Sequence, residues 1–350
     1  ASFWMPGWFA AFERWHTIIA SVLRAQEQFE RTGDEESLKT DINTKLAAPY
    51  IYQSQQHDLR DGSYLENRVE TIERYQVAPG VRALLAAVDV QKGYFDVLVV
   101  GAGIGFEQWI VDRFQIRDVD PKARIEDWDQ ITDRVINATY RLGDGMELRV
   151  AATAVDSGGE EGVTTHAYNW WRKLKRTGLS RRVHLIKGGS AKAGPRVNRT
   201  YPDSSSRADR KSGSRGDVPV LILNTNQLKD AVYAHLQRPE PGPGFVHFPD
   251  WLPGTFFDAL TAEQRTSKGW DNPAKRRNEP FDQLAYIQAL WIFKRAEKVN
   301  WEAPPPWLLP MSNNPNVISR DERRVLKAPV LPPTRASNPR RVRFQFKRST

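Results

Sequence analysis

The run Ala83-Leu84-Leu85-Ala86-Ala87-Val88-Asp89-Val90 constrains this chain more than any other stretch. Its nearly continuous apolar character is that of a short strand covered on both faces. Such a strand needs helices on each side of its sheet, so the chain is expected to build a layered α/β domain. A Gln91-Lys92-Gly93 turn follows, then an apolar strand over 94–100, three glycines, and a third strand over 106–114. Three strands joined by short turns predict an antiparallel meander.

The glycines raise a rival reading. Val99-Val100-Gly101-Ala102-Gly103-Ile104-Gly105 looks at first like a loop that cradles a dinucleotide. That loop needs a helix behind it, whose N-terminus holds the pyrophosphate. Here Phe106, Trp109, Ile110, Val111 and Phe114 follow, aromatic or β-branched residues that suit a strand. The spacing is GxGxG rather than GxGxxG. The hairpin reading therefore stands, with structural glycines, and a nicotinamide enzyme does not.

Further along, helical spacing marks 8–30, a shorter stretch at 36–46, and Ile125–Leu142, where Trp128, Ile131, Val135 and Ile136 point to a core. Strands are expected at Leu148–Val155, Val183–Ile186, Val218–Leu223 and Phe245–Phe248, and helices at 164–178 and Thr225–Leu236. Pro280 suits the first position of a helix over Phe281–Ala296. Residues 188–217 are rich in Gly, Ser, Arg and Lys and read as a mobile basic loop. From 303 onward the chain is Pro-punctuated, basic and expected to stay out of the core. The order predicts an α/β fold, a ribonuclease H-like mixed sheet flanked by helices. The expected divisions are a helical segment over 1–80, the sheet domain over 81–300, and a flexible tail over 301–350.

Composition narrows the function classes. With no cysteine among 350 residues, disulfides and thiolate metal sites are excluded. No apolar run approaches the roughly 20 residues of a membrane span. The opening stretch carries Glu13 and Arg14 inside its apolar run, unlike a signal peptide. The net charge of +9 is concentrated: residues 320–350 hold ten Lys and Arg against Asp321 and Glu322, leaving +1 for everything before them. The basic tail therefore reads as an arm for polyanions or an acidic partner surface. His166, His184, His235 and His247 show no HExxH or paired spacing, and neither GxSxG nor GxxxxGK[ST] occurs.

Three acidic residues stand where the apolar pattern should not tolerate them. Asp89 lies between Val88 and Val90. Asp156 ends the strand at 148–155 before Ser157-Gly158-Gly159. Asp282 falls in the first turn of the late helix, on the face of Ala285, Tyr286, Ala289 and Phe293. An Asx turn can explain Asp156 and the helix dipole can explain Asp282; neither explains Asp89. In the expected sheet the first and fourth strands are neighbours, so their ends can present two carboxylates side by side. At about 5 Å and an effective dielectric of about 20, two carboxylates repel by roughly 3 kcal/mol. A cluster of this kind needs cations, and oxygen ligands without cysteine favour Mg²⁺ or Mn²⁺. Two such ions roughly 4 Å apart form the clamp for in-line attack of water on a phosphodiester.

At A-A-V-D-V-Q (86–91), A-V-D-S-G-G (154–159), V-H-F-P (246–249) and K-R-R-N-E-P-F-D (275–282), the chain resembles the large terminase subunits of tailed phages of the lambda-like type. L-K-T-D-I-N-T-K-L at 38–46 is similar to the segment that closes the family's ATPase domain. The resemblance covers about residues 10–297. It implies a packaging endonuclease that cuts concatemeric double-stranded viral DNA, with two Mg²⁺ or Mn²⁺ ions held by Asp89, Asp156 and Asp282. Glu279 is a further candidate. Lys187, Arg196, Arg199, Lys275, Arg276 and Arg277 are candidate DNA contacts. The family's ATP-driven motor needs Walker motifs that this chain lacks, so residues 1–80 read as the motor's helical end or a linker. Implied partners are DNA, the small terminase subunit and the procapsid portal, with no membrane. The implied location is the cytoplasm of the infected host, transiently at the portal. Two rival readings share parts of the pattern: another ribonuclease H-like nuclease such as a junction resolvase or transposase-type enzyme, and a non-catalytic DNA- or portal-docking module.

Overall fold

Side-chain alternation along the first strand divides the molecule into layers. Ala83, Leu85 and Ala87 pack into one apolar core, and Leu84, Ala86 and Val88 into another on the opposite face. The computed structural model describes residues 5, 7–9, 13–33, 35–51, 62–143, 145–159, 162–189, 194–202 and 216–319. Nine strands in chain order build the main sheet up to the late helix: β1 Val81–Gln91, β2 Tyr94–Gly103, β3 Gln108–Arg117, β4 Thr139–Gly143, β5 Met146–Asp156, β6 Val183–Gly188, β7 Val197–Thr200, β8 Val220–Leu223 and β9 Val246–His247. Their spatial order is β7-β8-β6-β5-β1-β2-β3-β9, with β4 flanking the start of β5. The meander β1-β2-β3 is antiparallel, whereas β5 runs parallel to β1 and β6. This mixed sheet with helices on both faces is the expected ribonuclease H-like α/β arrangement.

One face is covered by helices α1 (Thr225–Leu236), α2 (Gly254–Leu260) and α3 (Glu279–Phe293). The helix α3 is apolar almost all round and buried along most of its length, as a helix inside a core should be. The other face is covered by the helix Val163–Arg176 and the segment 125–136, through Trp128, Ile131, Val135, Trp170 and Trp171. The N-terminal helices Trp15–Thr32 and Glu36–Thr44 dock on α1 through Ala25, Phe29, Leu38 and Ala234. Among the described residues, no helix is long and apolar enough to cross a membrane.

The glycine question resolves as a hairpin. Gly101 and Gly103 lie inside β2, and a 3-10 turn over Ile104–Phe106 leads into β3. A Cβ at Gly101 would stand 2.5 Å from Val81 Cγ2, and Gly105 has φ +66°. Close strand packing and a left-handed turn thus account for these glycines.

Three expectations are corrected. The helix foreseen over Ile125–Leu142 ends at Ile136 after successive 3-10, α and π turns, and 139–143 forms β4. Buried Tyr140 beside exposed Arg141 is strand alternation, which the helical reading overlooked. The loop expected over 188–217 contains β7, paired with β8; its central residues 203–215 lie outside the described residues. Residues 303–319 join the fold instead of leaving it. Leu308 is fully buried, Asn314 Nδ2 donates to Arg82 O at 2.8 Å, and a last short strand, Val317–Ser319, pairs with β5. The tail from Arg320 lies outside the described residues.

Two histidines sit in these cores as neutral groups. Burial pushes His235 down to about 3 and His184 down to about 4, from an ordinary 6.5. Between pH 6.5 and 4 the unfolded chain therefore binds more protons at these sites, and their contribution to stability is lost as pH falls through that window. The melting temperature of His235→Gln is expected to fall less steeply than wild type between pH 7 and 4.5. Parallel curves would count against a neutral His235 in the fold.

Candidate active site

Pairing and alternation together decide where the acidic residues meet. Val88 pairs with Val155 in the parallel register of β1 and β5, which sets Asp89 and Asp156 side by side at the ends of adjacent strands. In the antiparallel register of β1 and β2, Asp96 stands directly opposite Asp89. Alternation puts all three on the face shared with Ala87, Leu98 and Ala154, the face that α3 covers. Helix α3 starts with Pro280 in its first turn and carries Asp282 there. The charge of Asp282 acts on both Asp89 and Asp156. The three aspartates singled out in the sequence thus converge at one end of the sheet.

Each carboxylate has a different environment. Asp89 is 5% exposed, and its Oδ2 accepts from Gln91 Nε2. Burial pushes its carboxyl up to about 7; Gln91 opposes that shift, and the charges of Asp156, Asp282 and Asp96 add to it. Asp156 makes the Asx turn foreseen for it, its Oδ1 accepting from Gly158 N at 2.9 Å. Burial raises its pKa, with this turn opposing and Asp282 adding. Asp282 is also raised by burial, against the pull of Lys229. Lys229 Nζ lies 2.7 Å from Asp282 Oδ1 and 2.7 Å from Glu263 Oε1. Asn278 Nδ2 donates to Asp282 Oδ2 at 2.8 Å and also to Glu263. Tyr286, one turn beyond Asp282 on α3, is raised well above its ordinary value by burial and by Asp89, Asp156, Asp282 and Glu263.

The remaining candidates are scattered around this end. Lys187 ends β6, donates to Thr164 Oγ1 at 3.2 Å, and faces Asp156. Glu279 accepts from Arg277 and from Tyr94, both at 3.1 Å. Lys275 and Arg276 are exposed on the loop before α3. Arg196 is engaged by Glu297 through two bonds of 2.9 and 2.7 Å, and Arg199 lies over the Tyr201 ring. Sequence reasoning missed Asp96, Lys229, Glu263 and Asn278, and it placed Tyr286 on the face of Asp282 without giving it a part in the site. Counting back from the Lys92-Gly93 turn would have found Asp96 opposite Asp89. No local signal marks Lys229 or Glu263, which reach the site from other elements.

Among the described residues, no group of three His, Asp or Glu side chains forms a ready-made metal centre. The donor chemistry of Asp89 and Asp156 still fits a hard divalent cation, because a buried and a half-buried carboxylate meet there with few donors to offset them. Around the same strand ends, but on the side of Val90, Val119 and Val163, which pack against the opposite core, a groove of about 480 Å³ runs between Gln91-Lys92, Pro121-Lys122 and Gly158-Gly159.

Comparison with known proteins agrees with this geometry. The family described as "Terminase large subunit gpA, endonuclease domain" matches residues 1–301. The terminase large subunit of Escherichia phage lambda is 28% identical over 298 residues, covering 80% of this chain and 42% of that protein. The terminase large subunit of Enterobacteria phage P21 is 27% identical over 304 residues, again covering 80% of this chain and 42% of its own length. The chain thus spans about two-fifths of the length of these relatives. With a matching family model over most of its length and a carboxylate cluster at the end of its sheet, the chain belongs to the terminase large subunit gpA endonuclease-domain family.

Proposed function

We propose that this chain is a metal-dependent endonuclease that cuts concatemeric double-stranded viral DNA during genome packaging. The observation that carries the reading is the pair of buried Asp89 and half-buried Asp156, side by side at parallel strand ends with Asp282 facing them. Asp89 and Asp156 would hold Mg²⁺ or Mn²⁺, with Asp282 closing the cluster. A divalent ion there supplies Lewis-acid chemistry for attack of water on a phosphodiester.

The protein's own part is to keep acceptors clustered and aligned. Asp156 is oriented by its turn, and Asp89 is shielded from water by the strands around it. Lys187, beside Asp156, is placed to meet a phosphate oxygen. The groove lined by Lys92, Lys122 and Asp120 offers two ammonium groups to a passing phosphate backbone. Contacts of this kind give affinity without sequence preference and weaken with salt. Lys275, Arg276 and Arg277, on the loop before α3, are further proposed DNA contacts, as are Arg196, tied to Glu297, and Arg199, in β7.

In the same reading, residues 1–80 close a motor domain or link to it, and the exposed face of Trp15, Ile19 and Leu23 would lie against that part. The ATPase acts outside this chain. The small terminase subunit and the portal of the procapsid are the proposed partners, with the tail from Arg320 as the arm for DNA or portal.

Supercoiled plasmid incubated with the chain and Mn²⁺ or Mg²⁺ tests the reading. Nicked and linear products are expected with metal, none with chelator, and none from Asp89→Ala. Equal cutting by wild type and Asp89→Ala would sink it. Absence of cutting by wild type on plasmid and on concatemeric DNA would favour the docking module.

A further inference from the structure

The number of metal ions follows from what already surrounds Asp282. Lys229 lies on α1, a helix buried along nearly its whole length, so its ammonium is held largely out of water. Its side chain is 9% exposed and stands between the carboxylates of Asp282 and Glu263. Asn278 Nδ2 donates to the same two carboxylates, to Asp282 Oδ2 and to Glu263 Oε1, the oxygen that Lys229 also takes. Both oxygens of Asp282 therefore already take a strong donor, an ammonium on Oδ1 and an amide on Oδ2. For Asp282 to serve a second metal in full, Lys229 would have to leave a buried site, at the cost of an uncompensated charge.

Charge balance points the same way. Asp89, Asp96, Asp156, Glu263, Glu279 and Asp282 converge at this end of the sheet. Arg113 lies 3.3 Å from Asp96, Arg277 lies 3.1 Å from Glu279, Lys229 serves Asp282 and Glu263, and Lys187 faces Asp156. Four cations against six carboxylates leave two negative charges, one at Asp89 and one shared by Asp282 and Glu263. One divalent ion cancels them. A second would leave two positive charges in a desolvated cluster, where like charges about 4 Å apart repel by about 4 kcal/mol even at an effective dielectric of 20.

We propose that the site takes one divalent ion, on Asp89 and Asp156, and that the ammonium of Lys229 stands at Asp282 in place of a second. The proposal rests on the nuclease reading above and changes its expected count of ions from two to one. Lys229 is a positioning residue in this scheme: it acts through Asp282 and holds that carboxylate toward the other two.

Titration of the intact chain with Mn²⁺, followed by the electron paramagnetic resonance signal of the free ion, reads the count without any need for activity. One ion per wild-type chain is expected, and two per Lys229→Met chain, whose Asp282 and Glu263 become free to bind. Two ions per wild-type chain would overturn the proposal and leave the nuclease reading intact. Binding of none would overturn both. A folded Lys229→Met chain that still takes one ion would remove the role given to Lys229. If Lys229→Met does not fold, Asp282→Asn carries the test: it is expected to keep the single ion, and a loss of affinity well beyond about tenfold would count against the proposal.

Discussion

Replacing Asp89 or Asp156 with Asn is expected to lower metal-dependent cleavage on the order of 10³-fold while raising the melting temperature of the metal-free chain. The two effects have one source. Asn keeps the shape of the side chain but removes the negative charge, and with it several kcal/mol of metal-borne transition-state stabilisation. In the metal-free chain that same charge is a burden, since burial and the neighbouring carboxylates both disfavour ionised Asp89. Stability gained where activity is lost is the signature of a site kept for function. Asn variants that lose activity and also melt earlier would point to aspartates with a structural role. Melting curves in chelator at pH 8, beside plasmid assays in Mn²⁺, separate the two outcomes.

The second large effect lies on the opposite face of the sheet. Trp128 is fully buried, meets Phe95 edge-on at 5.5 Å and Trp170 at 5.7 Å, and donates from Nε1 to Pro121 O at 3.1 Å. Trp128→Ala is expected to cost about 3–5 kcal/mol, read as a lower urea midpoint. Trp128→Phe keeps the ring and drops the hydrogen bond, for about 1 kcal/mol. An unchanged midpoint for Trp128→Ala would mean that the core collapses onto the vacated space.

The sheet was legible because its strands announce themselves by period. The run at 83–90, the turn at 91–93 and the apolar strand to Asp156 placed Asp89 and Asp156 on neighbouring strands before any register was known. Asp282 was legible through Pro280 and the helix behind it. What escaped was contributed across elements. Lys229 reads in isolation as one polar residue of a helix, and only the packing of α1 against α3 turns it into the counter-charge of Asp282. Residues 303–319 escaped for a different reason. Proline-rich composition signals an irregular backbone, but Asn314 and the short pairing with β5 tie that backbone to the sheet through single hydrogen bonds. The segment 125–142 misled because a buried turn and the start of a strand together imitate a helical stripe.

That last pairing has a consequence for scale. Ser319 is joined to Met146 at the start of β5, while Asp156 stands at the strand's far end. Ten steps at about 3.3 Å each put the two points roughly 33 Å apart. Double-stranded DNA covers that span in about ten base pairs at 3.4 Å per step. Ser319 is thus fixed nearly one turn of the double helix from Asp156, so under the proposed function a hold on DNA taken close to Ser319 and a cut made at the carboxylates would fall on the same side of the duplex.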